Sequence, residues 1–230
     1  MNWFNDRDAG CYWGGLPEVN RFNLASHTRR QKYPPMSEKH MNVVDNVRKK
    51  GYYILRNAID QEKIIRLREK LDHLIQTDTH IKRRNEHEIV VDHALLSLEG
   101  VSSLAFDDLL VDIATSYFQT TPAIGTVNLR KSLINNLHEE GTLLFHCDKN
   151  SVKFIKFFLY LNDVDLDTGP FCYIEGSHNN KFEYWQQKYR WTAEELRDIY
   201  GEDKIKYITG NVGDLIVANT TGFHRGTKCL

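Results

Sequence analysis

The chain has 230 residues, 41% of them hydrophobic and 27% charged, with a formal net charge of −1. That length supports one sizeable core, and the composition is that of an ordinary folded globular chain. A nearly neutral chain carries no overall field to gather nucleic acid or an anionic membrane, and no apolar run nears the roughly 20 residues of a membrane helix. Neither nucleic acid nor membrane is therefore expected as a partner. The opening MNWFNDRDAG has neither the basic start nor the apolar stretch of a secretory signal. The four cysteines, Cys11, Cys147, Cys172 and Cys229, form no CxxC pair and read as reduced thiols of a cytoplasmic protein. The short basic runs at 28–32, 48–50 and 82–84 read as solvated surface.

Residues 1–40 are irregular and rich in Asn, Arg, Gly and aromatic side chains, with Pro34 and Pro35 near their end, and read as an arm or lid. Ser37 is placed to cap a helix carrying Met41, Val44 and Val47 up to Gly51, and GYYILRN after it is a short strand. Asp60 caps a second helix, in which Ile64, Leu67, Leu71, Leu74 and Ile75 recur at helical spacing. A third runs near 104–119 with Leu109, Leu110, Ile113, Ala114 and Phe118 on its buried side. From about 122 the pattern changes to alternation. AIGTVNLRKSL places Val127, Leu129 and Leu133 on one face and Asn128, Arg130 and Ser132 on the other. TLLFHCD, VKFIKFFLYLNDV and IKYITGNVGDLIVAN are further strand segments. A helical insertion near 181–201 interrupts them, TAEELRDIY opening with Thr192 and Glu195 at capping-box spacing. The expected fold class is α+β in a single domain 1–230: arm or lid (1–40), helical lead-in (41–121), then an antiparallel sandwich or barrel (122–230).

The chemistry centres on FHCD. On a strand, His146 and Asp148 leave the same face, so an imidazole and a carboxylate can take adjacent corners of a metal's coordination shell. A second imidazole from a distant strand would complete two histidines and one carboxylate, with the opposite positions open to other ligands. That is the donor set of non-haem Fe(II) oxygenases. His224, after GDLIVAN and the turn TTG, is the natural third ligand. An HxD triplet alone is also what a surface His-Asp pair at a strand end looks like. The ordered series HCD, DVDLDTGPFCYIEGSH, VGDLIVAN and FHRG is far more specific.

That series, spread over 140–226, resembles the phytanoyl-CoA dioxygenase family of Fe(II)- and 2-oxoglutarate-dependent oxygenases. Residues 42–76 echo the family's helix-strand-helix lead-in. The resemblance implies a double-stranded β-helix, or jelly roll, with N-terminal helices packed on one sheet and the metal near an open end. It implies Fe(II) on His146, Asp148 and His224 as the catalytic and metal-binding residues, and 2-oxoglutarate and molecular oxygen as cosubstrates. A small-molecule or acyl substrate would be hydroxylated with release of succinate and CO2. Gly169, Pro170, Gly176, Ser177 and His178 would be turn residues, His178 among them structural rather than a ligand. Glu175 stands where the family most often has Pro. Asp148 supplies the carboxylate that related halogenases lack, which favours hydroxylation over halogenation.

The family holds the far carboxylate of 2-oxoglutarate with an Arg on the strand after the distal histidine, and the sequence ends at Leu230 without one. Arg225 would point to the opposite face from His224. Arg130 and Lys156 are the remaining candidates for binding the cosubstrate. Arg130 either lines the barrel or faces solvent, and Lys156, interrupting FIKFFLYL, either meets the pocket or sits outward on an edge strand. Three other readings stay open: a jelly roll that binds metal or ligand without turnover, a cupin that does not use 2-oxoglutarate, and a truncated form of a longer chain. Aromatic residues of the insertion (Phe182, Tyr184, Trp185, Tyr189, Trp191) either floor a substrate pocket or pack the insertion down.

Overall fold

The computed structural model describes residues 37–77, 82–84, 88–92, 94–134, 139–149, 153–183 and 185–230. The expected arm or lid lies, up to residue 36, outside the described residues, as do Cys11 and Tyr184. Helix α1 (Glu38–Lys50) opens where Ser37 Oγ accepts a hydrogen bond from His40 N at 3.3 Å and closes on left-handed Gly51, φ 96°. A Cβ on Gly51 would stand 2.3 Å from Tyr173 Oη, so this turn accepts only glycine. Strand β1 (Tyr52–Leu55) follows, then α2 (Gln61–Thr77), whose first turn is capped by Asp60 Oδ1 on Lys63 N at 3.1 Å and which buries Ile64, Leu67 and Leu71.

Strands β2 (Lys82–Arg84) and β3 (Glu88–Val91) come next and pair antiparallel. The single helix expected near 104–119 divides, after a short α3 (Ala94–Ser97), into α4 (Val101–Ala105) and α5 (Asp108–Phe118). Asp107 is the cause: its side chain accepts from Leu109 N at 3.0 Å and starts a fresh helix in mid-pattern.

The strand half contains β4 (Leu129–Ser132), β5 (Lys156–Leu159), β6 (Phe171–Ile174), helix α6 (Ala193–Tyr200), β7 (Ile205–Ile208), β8 (Leu215–Ala218) and β9 (His224–Arg225). The expected capping box of α6 is formed by Thr192 and Glu195. Among the described residues these strands pair antiparallel, in three sheets ordered β1-β8-β5, β7-β6-β9 and β2-β3-β4. The segment TLLFHCD is not one continuous strand. A 3₁₀ turn occupies Gly141–Leu143; the chain then meets β9 through the single bridge of His146 to His224, and Phe145 bridges Trp191 just ahead of α6.

Strand alternation sorts the side chains into layers. Ile216 and Ala218 of β8 meet Phe171 and Tyr173 of β6 between the first two sheets. Leu215 and Val217, on the other face of β8, pack against Val43, Val44 and Val47 of α1 and Ile113 of α5. Cys172 and Ile174, on the outer face of β6, pack with Phe145, Cys147, Phe223 and Leu196 of α6. The order is helices, sheet, sheet, helix: a mixed α and β chain whose two main sheets face each other.

Asp214, at the mouth of β8, ties this frame together. Its carboxylate accepts from Asn57 N and Asn211 N, each at 2.9 Å, and from Arg56 Nη1 at 2.6 Å, with its side chain 1% exposed. Asp214→Ala would remove the acceptor of these two part-buried N–H bonds and of the Arg56 bond, each worth about 0.5–1.5 kcal/mol. The expected loss is roughly 3 kcal/mol of unfolding free energy in a urea titration, with a smaller loss for Asp214→Asn; an unchanged midpoint in both would refute the assignment.

Candidate metal centre

His146 and His224 face each other across an antiparallel bridge in which each N–H donates to the other's carbonyl at 3.0 Å. Residues directly opposite in such a pair send their side chains to the same face. The two rings accordingly lie side by side, centroids 4.3 Å apart, with His146 7% and His224 4% exposed. Asp148, two residues along from His146, is held by its N–H donating to Thr220 O at 2.9 Å, and its Oδ2 stands 3.4 Å from His224 Nε2. One donor atom from each of His146, Asp148 and His224 lies within 4.8 Å of the others, the one such group among the described residues.

Backbone carbonyls set the tautomers. His146 Nδ1 is 2.9 Å from Leu144 O and His224 Nδ1 is 3.0 Å from Gly222 O, so in the neutral rings Nδ1 carries the proton and Nε2 keeps its lone pair. Burial is the main force holding the His146 pKa below the ordinary histidine value. The Arg190 charge adds to burial, against the opposing pull of the Leu144 carbonyl and Asp148. Burial likewise pushes His224 well down, helped by His146 and opposed by Asp148. Burial raises the Asp148 carboxyl, but the charge of Lys156 beside it, and any proton on the His224 ring, pull it below the ordinary carboxylate value. With both imidazoles neutral, Lys156 is the cation in contact with that carboxylate.

Lys156 lies opposite Ala218, which faces the space between the sheets, and its ammonium reaches Asp148 Oδ2 at 2.5 Å. That oxygen is buried and has this ionic neighbour but no directed hydrogen bond. Two lone pairs and an under-bonded carboxylate converging in a buried space form a donor set for a divalent cation, and the residues fit a non-haem iron.

The other candidates are placed elsewhere. Arg130 on β4 belongs to the β2-β3-β4 sheet, where Nη1 pairs with Glu88 Oε2 at 2.8 Å. Arg225 points to the outer face, bonded to Glu139 Oε2 at 2.6 Å and lying over the Phe145 ring. His178 receives no role at the metal: its Nε2 is 2.9 Å from Arg48 O. Gly169 and Gly176 both have positive φ, 79° and 82°, as their turns require. Of the insertion aromatics, Phe182 and Trp191 pack against Phe223. Arg190 was not anticipated. Its influence on His146 depends on the Phe145–Trp191 bridge, which no local pattern announces.

A family model described as phytanoyl-CoA dioxygenase (PhyH) matches residues 47–228. No curated protein matches the chain. Among solved structures, the epimerase SnoN in complex with Fe3+, alpha ketoglutarate and nogalamycin RO superposes with a TM-score of 0.63 at 13% identity, covering 83% of this chain and 77% of its own. The alpha ketoglutarate dependent carbocyclase SnoK from nogalamycin biosynthesis gives 0.59 at 17%, covering 84% and 78%. HygX from Streptomyces hygroscopicus, with nickel, 2-oxoglutarate and hygromycin B bound, gives 0.54 at 15%, covering 86% and 84%. At these identities the likeness is one of fold.

The depressed histidines set a pH dependence for the metal-free protein. Both are neutral when folded and titrate near 6.5 when unfolded, so the unfolded chain takes up protons first as pH falls. Stability is retained above about pH 6.5 and is expected to fall below it by up to about 1.4 kcal/mol per pH unit for each histidine. Denaturation midpoints between pH 7.5 and 5 check this, and His146→Gln/His224→Gln should flatten the profile.

Proposed function

The chain belongs to the phytanoyl-CoA dioxygenase family, and from that premise we propose that it is an Fe(II)- and 2-oxoglutarate-dependent oxygenase with its metal on His146, Asp148 and His224. We read the two facing sheets as a double-stranded β-helix within one domain, with residues 1–40 as its arm or lid. The observation that carries the proposal is the in-register bridge that sets two neutral imidazoles beside one ionised carboxylate. When bound, iron and 2-oxoglutarate supply oxidative decarboxylation to succinate and CO2, with molecular oxygen as oxidant.

The chain's own residues orient and enclose that chemistry. Leu144 O and Gly222 O hold both Nε2 lone pairs toward the metal position. Asp148 supplies the negative charge and fills the place a halide would need, which supports hydroxylation as the outcome. A cation bound at Asp148 would release Lys156, and we assign the freed ammonium to a carboxylate of 2-oxoglutarate. Arg130 is committed to Glu88, which leaves Lys156 as the better of the two anchors. A small molecule or an acyl group is the substrate class this reading carries. The unpaired thiols Cys147, Cys172 and Cys229 support a reducing, cytoplasmic setting.

The test is an anaerobic titration with Fe(II) and 2-oxoglutarate, followed by the visible metal-to-ligand charge-transfer band. The band is expected in the native protein and absent in Asp148→Ala. Lys156→Met should retain Fe(II) and weaken 2-oxoglutarate about 10- to 100-fold, the worth of one charge-assisted hydrogen bond. Fe(II) binding without a band at saturating 2-oxoglutarate would overturn the oxygenase reading in favour of a metal-binding protein without turnover.

A further inference from the structure

We propose that Cys147 and Lys181 form an oxidative modification site, in which the thiol and the amine become joined through one oxygen atom as an Sγ–O–Nζ crosslink. Cys147 lies between two of the metal-site residues, so alternation sends its side chain to the opposite face, 5% exposed among Phe145, Ile174 and Phe223. Lys181 comes from the loop after the Gly176–His178 turn, and its Nζ lies 3.2 Å from Cys147 Sγ. The same Nζ donates to Thr221 O and sits over the rings of Trp185 and Phe223 at 4.9 and 5.0 Å. A lysine carried into an aromatic cluster is costly unless its nitrogen is held, and here three kinds of contact hold it against one sulfur. Neither side chain has a task in the metal centre.

The separation is little more than the span of the two single bonds the crosslink requires. A small cleft on this outer side is lined by Cys147, Trp185, Tyr189 and Trp191, so the thiol lies beside the surface. Dioxygen is the oxidant. One S–H and one N–H bond break, and S–O and N–O bonds form. Sulfur and nitrogen each give up two electrons, and dioxygen accepts all four. One of its atoms stays in the bridge, and the other leaves as water with the two hydrogens. Oxidation of a thiol by such species is ordinary cysteine chemistry, and a neighbouring amine diverts it from sulfinic acid to a reversible product.

The crosslink would tie the segment carrying His146 and Asp148 to the loop that already holds Thr221, three residues before His224. It therefore reports oxidation on the ligand-bearing segments without touching a ligand, and it does not depend on the oxygenase reading.

The experiment takes full-length protein purified anaerobically with reductant, exposes it to air, and compares intact and peptide masses. Expected is a species heavier by one oxygen less two hydrogens. It should join the Cys147 and Lys181 peptides, revert with dithiothreitol, and be absent from both Cys147→Ser and Lys181→Arg. An unchanged mass, or oxygen addition that persists in Lys181→Arg, would overturn the proposal. Loss of two hydrogens alone, a direct S–N bond, would also overturn it. Circular dichroism of the two variants confirms that they fold, so a missing crosslink is a result about the pair.

Discussion

The reciprocal pair of hydrogen bonds between His146 and His224 is the interaction on which the structure's chemistry depends. Backbone geometry, not side-chain choice, puts the two imidazoles on one face at contact distance. Much of the surrounding frame keeps that bridge in register. Tyr173, paired with His224 across β6 and β9, donates to Asn219 O at 2.8 Å, and Gly51 and Gly222 leave room for its hydroxyl. Ser177 Oγ accepts from Phe223 N at 2.8 Å, fixing the residue before His224. A slip of one residue between the two segments would turn one histidine to the outer face and separate the pair.

The second constraint is electrostatic. Burying two imidazoles favours their neutral forms, while a buried carboxylate must find positive charge. Lys156 provides it from the opposite sheet, so the metal-free site is a closed ion pair rather than an exposed set of donors. On the proposed reading a divalent cation would compete with that ammonium, and what displaces Lys156 from Asp148 would also free it to meet an anion. The outer face of the same strand is insulated from this exchange by Phe145, Cys147 and their aromatic neighbours.

Much of this was legible in the sequence because local rules carry it. Ser37, Asp60 and Thr192 each announce a helix start through hydrogen bonds that reach no farther than one turn. The HxD spacing puts His146 and Asp148 on one face wherever extended chain occurs, and GDLIVAN carries enough apolar residues to mark β8. What stayed hidden is long-range register. Lys156 faces inward because it pairs with Ala218, and Arg130 turns away because β3 offers Glu88; no window of neighbouring residues contains either partner. The split between α4 and α5 was hidden for another reason. Apolar periodicity runs through Asp107, and only its capping bond interrupts the helix.

The central claim is that Lys156 occupies, in the metal-free protein, the electrostatic place that iron takes in the working one. The most direct measurement is anomalous diffraction from crystals of the native chain soaked anaerobically with Mn(II), a redox-quiet stand-in for Fe(II). The account requires one anomalous peak bonded to His146 Nε2, Asp148 and His224 Nε2, with the Lys156 ammonium withdrawn from Oδ2. A peak elsewhere, or an intact Lys156–Asp148 pair with no metal between the histidines at saturating Mn(II), would contradict it.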